Sequence, residues 1–162
     1  VTQHVSYIGL GSNLGESGNQ LAQAFVRLDQ LPGTRLLAQS GMYRSAPVGY
    51  LDQPDFVNAV AKIVTSLTPQ ALLAALLQIE RECGRERTFA NAPRTLDLDV
   101  LLYDDRQIHE HGLTVPHPQM HKRAFVLLPL LEIAPDCVIP AIGPARCAMQ
   151  DCLDQVLEKL AG

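Results

Sequence analysis

Basic charge is in short supply in this sequence. Thirteen Lys and Arg stand against seventeen Asp and Glu, for a formal net charge of -4 and an isoelectric point near 5.7. A general polyanion binder carries a basic face. That surplus is missing here, so any phosphate the chain recognises must be met locally. Long apolar runs are missing too, and nothing approaches the ~20 residues that cross a bilayer. The start, Val1-Thr2-Gln3-His4-Val5, lacks the charged and apolar regions of a signal peptide, so a soluble, cytoplasmic chain with no membrane partner is expected. The four cysteines, Cys83, Cys137, Cys147 and Cys152, contain no C-x-x-C pair, which leaves a zinc site of the usual spacing unsupported. Free thiols are the expectation, since a Cys147–Cys152 bridge would conflict with a reducing compartment. No fixed-period repeat or low-complexity tract argues for a solenoid or a disordered tail.

What is present is material for one core. At 162 residues, 47% of them hydrophobic, the chain is the size of one ordinary domain, and a single domain over 1–162 is expected. Its organising stretch is Arg94-Thr95-Leu96-Asp97-Leu98-Asp99-Val100-Leu101-Leu102-Tyr103, which reads as buried sheet apart from its charges. Successive side chains of a strand point to opposite faces. Asp97, Asp99 and Leu101 therefore share one face, and Leu96, Leu98, Val100 and Leu102 the other. The two carboxylates lie about 7 Å apart along such a strand, and each raises the energy of the other unless a cation or strong donors lie between them. Hard oxygen ligands without an adjacent His or Cys suit magnesium better than zinc or copper, and magnesium is commonly shared between carboxylates and substrate phosphates. The competing interpretation is an amphipathic edge strand whose aspartates face water.

Arginine supply bears on that choice. Arg85, Arg87 and Arg94 fall within ten residues before the strand and can grip a polyphosphate by forked, charge-assisted hydrogen bonds; alternatively they pair with Glu80, Glu82 and Glu86 in a solvated loop. Earlier in the chain, Val5 to Leu10 reads as a short strand running into Gly11-Ser12-Asn13-Leu14-Gly15, a sharp strand-to-helix turn. Without the lysine of a P-loop or the dinucleotide spacing, that turn is open between a plain connection and a phosphate cradle. A helix with Leu21, Phe25, Leu28 and Leu31 on one stripe stops at Pro32-Gly33.

Two strands follow, Thr34 to Tyr43 and Asp55 to Thr65, joined by a long, proline-stiffened connection of the kind that often carries function. In the second, Phe56 and Asn58 share a face and offer a ring to stack a flat heterocycle and an amide to read its edge; core packing is the alternative for the ring. The next helix has Thr68 as N-cap, Pro69 at its first position and Gly84 as its stop, with Leu72, Leu73, Leu76, Leu77 and Ile79 apolar.

The order strand, helix, strand, strand, helix, strand is the ferredoxin-like βαββαβ arrangement, an α+β fold with a mainly antiparallel sheet. With both helices on one face, the last sixty residues must cover the other. They contain the extended stretch Leu113-Thr114-Val115-Pro116-His117-Pro118, a helical run from Ala124 to Leu131 that Pro129 limits or kinks, and a final helix from Asp151 to Leu160 with Leu153, Val156, Leu157 and Leu160 inward. His117 and Arg123 add hydrogen-bonding or cationic groups to the phosphate side if this segment crosses the aspartate strand. Phe125 then offers a second ring opposite Phe56.

Taken together, Gly11-Ser12-Asn13, Tyr43-Arg44-Ser45, Asp52-Gln53-Pro54-Asp55-Phe56-Val57-Asn58, Gly84-Arg85, Pro93-Arg94-Thr95-Leu96-Asp97-Leu98-Asp99, Val115-Pro116-His117 and Arg123-Ala124-Phe125 resemble the 6-hydroxymethyl-7,8-dihydropterin pyrophosphokinases of the folate pathway. The resemblance runs from about residue 5 to 136. It implies transfer of pyrophosphate from ATP to the pterin hydroxymethyl group with release of AMP, a three-layer α-β-α fold, and two magnesium ions held by Asp97 and Asp99. It further implies that Arg85, Arg94, His117 and Arg123 contact ATP phosphates or gate the site, with Arg87 beside them. Phe56 and Phe125 would sandwich the pterin, Asn58 would read its edge, and Ser45 and Val48 would offer backbone groups. Loops near 46–53 and 84–93 would close over the substrates. The chain departs from some relatives in having Asn91 where they place an aromatic residue and Gly112 where they place an arginine. A monomer acting on small molecules rather than nucleic acid is expected, the rivals being a non-catalytic nucleotide- or metal-binding module and a magnesium-dependent phosphodiesterase.

Overall fold

A computed structural model describes residues 2–12, 17–45, 56–84 and 96–160. Strand β1 (His4–Ser12) leads to helix α1 (Ser17–Asp29), then to strands β2 (Thr34–Gln39), β3 (Tyr43–Ser45) and β4 (Phe56–Thr65). Helix α2 (Pro69–Ile79) runs into a π-helical turn at Glu80–Gly84, and β5 (Asp97–Tyr103) completes the expected core. β1 lies between β4 and β5, with β2 and β3 on the outer side of β4, and every pairing is antiparallel. This is the strand order of the ferredoxin-like fold.

Local signals act as the sequence implies in both helices. Leu21, Ala24, Phe25 and Leu28 are buried against the sheet. Thr68 caps α2 by accepting from the Ala71 N–H, with Pro69 at the first position. The apolar face of α2 is narrower than expected, since Leu77 is exposed. The expected strand from Thr34 to Tyr43 is split. Ser40 Oγ accepts the Val60 N–H (2.9 Å) and so interrupts the ladder between β2 and β3, which pair with successive parts of β4.

The other face is covered by the later residues. A hairpin of β6 (Ile108–Glu110) and β7 (Leu113–Val115) turns through Gly112, whose φ of +76° would strain an arginine at that position. Helix α3 (Ala124–Ile133) continues through Pro129. A minimal hairpin, β8 (Val138–Ile139) with β9 (Gly143–Pro144), precedes α4 (Ala145–Gln150). Leu127 and Leu130 of α3 pack with Val60, Leu101 and Leu102 in a second core cluster, so the sheet lies between α1/α2 and α3/α4. Leu102 was expected on the other face. A bulge opposite Tyr7/Ile8 inserts an extra residue and so brings Leu102 to the same side as Leu101.

The final helix expected over Asp151 to Leu160 does not form. After α4 the chain turns and ends in β10 (Leu157–Lys159), which pairs with β3. Leu153 and Val156 are 65% and 86% exposed. The periodicity was helical, but the open edge of β3 offers backbone partners that a helix would leave unmet. All four cysteines are free, and among the described residues no helix is long and apolar enough to cross a membrane.

Glu132 of α3 ties this corner together. It accepts from the Tyr43 hydroxyl (2.6 Å) and the Gly41 N–H (3.0 Å) and lies 3.4 Å from Lys159 Nζ. Burial pushes its carboxyl up, but those two hydrogen bonds and the lysine charge outweigh it and hold the group below its ordinary value. A carboxyl depressed in the folded state contributes stability that is complete above its unfolded value and lost as pH falls through the folded one. Glu132→Gln is therefore expected to cost about 1–2 kcal/mol at pH 7, with the two urea-unfolding curves converging as the pH drops below the carboxylate range.

Candidate active site

The aspartates sit where the alternation of β5 puts them, Asp97 half-buried and Asp99 exposed, on the face that carries Leu101. Across the sheet Asp97 pairs with Gly11 and Asp99 with Gly9, while Gly11 pairs on its other side with Asn58. The row Asn58–Gly11–Asp97 thus has a bare middle. A Cβ on Gly11 would come 3.3 Å from Asn58 Oδ1, and one on Gly9 would come 3.3 Å from a Leu101 methyl. Glycines at alternate positions of a central strand mark a place where something else must approach the backbone. The sequence suggests a turn at Gly11; the residue belongs to the strand, and its role is to leave the floor of a cleft open.

That cleft has a volume of about 530 Å³ and its lining includes Ser45, Phe56, Asn58, Asp97, Asp99, His117, Arg123 and Phe125. Eight side chains singled out from the sequence therefore meet at one place, although they come from five separate segments. Arg85, Arg87, Arg94 and Val48 lie outside the described residues, as do Asn91 and, Gly84 apart, both loops expected to close.

Asn58 is buried, and its amide donates to Ser45 Oγ (3.0 Å), which fixes the amide's orientation. Phe56, beside it, and Phe125, in the first turn of α3, are both half-buried at the cleft. The Arg123 guanidinium lies over the Phe125 ring, 5.5 Å from its centroid. His117 is held by its own backbone, donating to Leu101 O (3.0 Å), and its Nδ1 accepts the Gln119 N–H (3.1 Å). The ring proton is therefore on Nε2. Burial lowers the His117 pKa, Asp99 opposes that and Arg123 adds to it, leaving it below the ordinary value. At neutral pH His117 is a hydrogen-bond donor, not a cation.

Glu80 is a residue whose part the sequence hid. Its spacing suggests a surface partner for arginines, yet it is 4% exposed and its carboxylate accepts the N–H of Leu98 (2.7 Å), the residue between the two aspartates. Glu82 instead pairs with Arg27 of α1. Glu80→Ala is expected to destabilise the fold by about 1–3 kcal/mol through the lost acceptor, and Glu80→Gln, which retains one, by less; chemical denaturation distinguishes them. Gln119, Lys122 and Gln155 also line the cleft, and no local pattern marked them.

The model of the 7,8-dihydro-6-hydroxymethylpterin-pyrophosphokinase family matches residues 7–135. The chain belongs to this family. Among its relatives, the 2-amino-4-hydroxy-6-hydroxymethyldihydropteridine pyrophosphokinase of Haemophilus influenzae is 51% identical over 135 residues, 83% of this chain and 84% of the relative. The protein of the same name from Pseudomonas aeruginosa is 45% identical over 156 residues, 96% of each chain. Among solved structures, the wild-type HPPK-DHPS of Plasmodium falciparum with pteroate superposes with a TM-score of 0.73 at 13% identity, covering 92% of this chain. The chain spans 42% of that structure's length, so the likeness bears on the fold of the pyrophosphokinase portion alone.

Proposed function

We propose that this chain transfers a pyrophosphoryl group from ATP to the hydroxymethyl oxygen of 6-hydroxymethyl-7,8-dihydropterin, a step of folate biosynthesis. The hydroxymethyl oxygen attacks the β-phosphorus and loses its proton, the bond from that phosphorus to the α,β-bridging oxygen breaks, and AMP leaves. The observation that carries this reading is the single cleft in which two carboxylates, two rings, a buried amide and cationic or donor groups converge.

Phe56 and Phe125 supply the rings for the pterin, while Asn58, oriented by Ser45, hydrogen-bonds its edge. Arg123 and the Nε2–H of His117 receive phosphate oxygens, with Arg85, Arg87 and Arg94 assigned to the same task and Val48 to the pterin by the resemblance. The donor set at Asp97 and Asp99 suits magnesium. It is two hard carboxylates on one face, and among the described residues no group of three His, Cys, Asp or Glu side chains forms an all-protein cage, which matches magnesium's habit of sharing itself between one or two carboxylates and substrate phosphates. Asp97 and Asp99 would hold two such ions, which when bound neutralise the oxygens around the reacting phosphorus and stabilise the departing AMP. The protein's own contribution is mainly positional: it brings nucleophile and triphosphate together. We take the enzyme to be one domain over 1–162 that acts as a cytoplasmic monomer on small molecules and not on nucleic acid.

The test is to incubate the protein with ATP, magnesium and the pterin and to resolve the adenine nucleotides. AMP appearing one-for-one with pterin consumed is the expected result. ADP would indicate transfer of a single phosphoryl group, and no turnover would favour a binding module.

A further inference from the structure

We infer that Gln155 is a positioning residue that sets Arg123 across the cleft, an inference that rests on the role proposed for Arg123. Arg123 links a 3-10 turn at Met120–Lys122 to the start of α3 and is itself extended, with φ -123° and ψ 109°. An extended residue turns the carbonyl before it and the amide after it to one side, the pair that a neighbouring strand reads in a sheet. Here a side chain reads them. Gln155 Oε1 accepts the Ala124 N–H (2.9 Å) and Gln155 Nε2 donates to the Lys122 carbonyl (2.9 Å). A primary amide has a donor and an acceptor in one plane and can satisfy both at once.

The bond to Ala124 has a second consequence. Arg123 occupies the N-cap position of α3 without capping it by its own side chain, and Ala124 N–H is among the first-turn donors that lack an intrahelical partner. Gln155 meets that donor from thirty-one residues away and places Arg123 between the two bonds. The backbone on either side of Arg123 is then held, and its guanidinium lies over the Phe125 ring in the cleft that Asp99 and His117 also line.

Gln155 is itself anchored from both sides. Cys152, just before it, is buried in the second core cluster. Just after it, β10 pairs with β3, and the Leu160 N–H donates to the Met42 carbonyl (2.8 Å). This strap therefore joins the strand that carries Ser45 to the turn that carries Arg123, two walls of the same cleft. It lies beyond residues 7–135, which the family model matches. Gln155 is exposed, so core filling does not account for its place.

A double-mutant cycle tests this in the intact 162-residue chain, with kcat and the KM for ATP measured for wild type, Gln155→Ala, Arg123→Ala and the double variant, alongside urea unfolding of each. Gln155→Ala is expected to lower kcat/KM for ATP about three- to tenfold, the loss of two neutral hydrogen bonds at an exposed place, and Arg123→Ala to lower it further. The double variant should match Arg123→Ala alone, because without the guanidinium there is nothing left to position. Effects that multiply, or a Gln155→Ala enzyme within twofold of wild type, overturn the inference even when Arg123 matters. If Arg123→Ala leaves an active enzyme unchanged, the assignment of Arg123 itself is wrong and this inference falls with it. A wild-type protein that forms no AMP would overturn the proposed reaction instead. A purely structural Gln155 would lower the unfolding midpoint and add its effect to that of Arg123→Ala, the pattern the cycle separates.

Discussion

Asp97→Ala and Asp99→Ala are each expected to lower AMP formation by at least about 10²–10³-fold, the scale on which a preorganised charge-stabilising group contributes to a transition state. Both side chains line the cleft on the same face of β5. Neither is part of the apolar core, to which that strand contributes Leu98, Val100 and Tyr103 on one side and Leu101 and Leu102 on the other. Folding should therefore survive, which a cooperative urea-unfolding transition in each variant checks. Chelation of divalent metal should silence the wild-type enzyme, and added magnesium should restore it. Near-normal turnover in either variant would falsify the assignment of the metal to these carboxylates.

Asn58→Ala is expected to raise the KM for the pterin about 10–100-fold, the equivalent of roughly 1–3 kcal/mol for leaving a buried polar partner unmet. The residue is 5% exposed, its amide nitrogen is committed to Ser45 Oγ, and its Oδ1 faces the bare position at Gly11. A side chain so placed is oriented before any ligand arrives. Asn58→Asp keeps the shape but loses the donor to Ser45 and adds a negative charge on the row that already carries Asp97, so it too should bind the pterin poorly. Steady-state kinetics at saturating ATP measures both variants, and an unchanged KM for the pterin in Asn58→Ala would remove Asn58 from the site.

Much of this was legible because it is local. Alternation in β5 needs only the extended backbone, so the shared face of Asp97 and Asp99 follows from their spacing. The Thr68 cap and the α1 stripe of Leu21, Phe25 and Leu28 likewise depend on residues within a few positions of each other. Misreadings arose where a distant partner competed with a local preference. Leu153, Val156, Leu157 and Leu160 have helical spacing, yet the open edge of β3 takes the segment as a strand. Leu102 alternates correctly, but a bulge against β1 changes its face. Glu80 looked like one of several surface acids until the fold carried β5 past it.

By itself the sequence determined which chemical groups were available and which of them shared a local face: paired carboxylates, a strand that presents a ring and an amide, capped amphipathic helices, and an order of elements compatible with a single antiparallel sheet. Only the tertiary structure decided that Gly11 lies between Asn58 and Asp97, that Arg123 and Phe125 are delivered to the same cleft by the start of α3, and that a C-terminal glutamine clamps the backbone beside them. The physical reason is that local backbone preferences are set by neighbouring residues, whereas strand register and the partners of buried polar groups are set by contacts closed over long loops, which the burial of a common core selects.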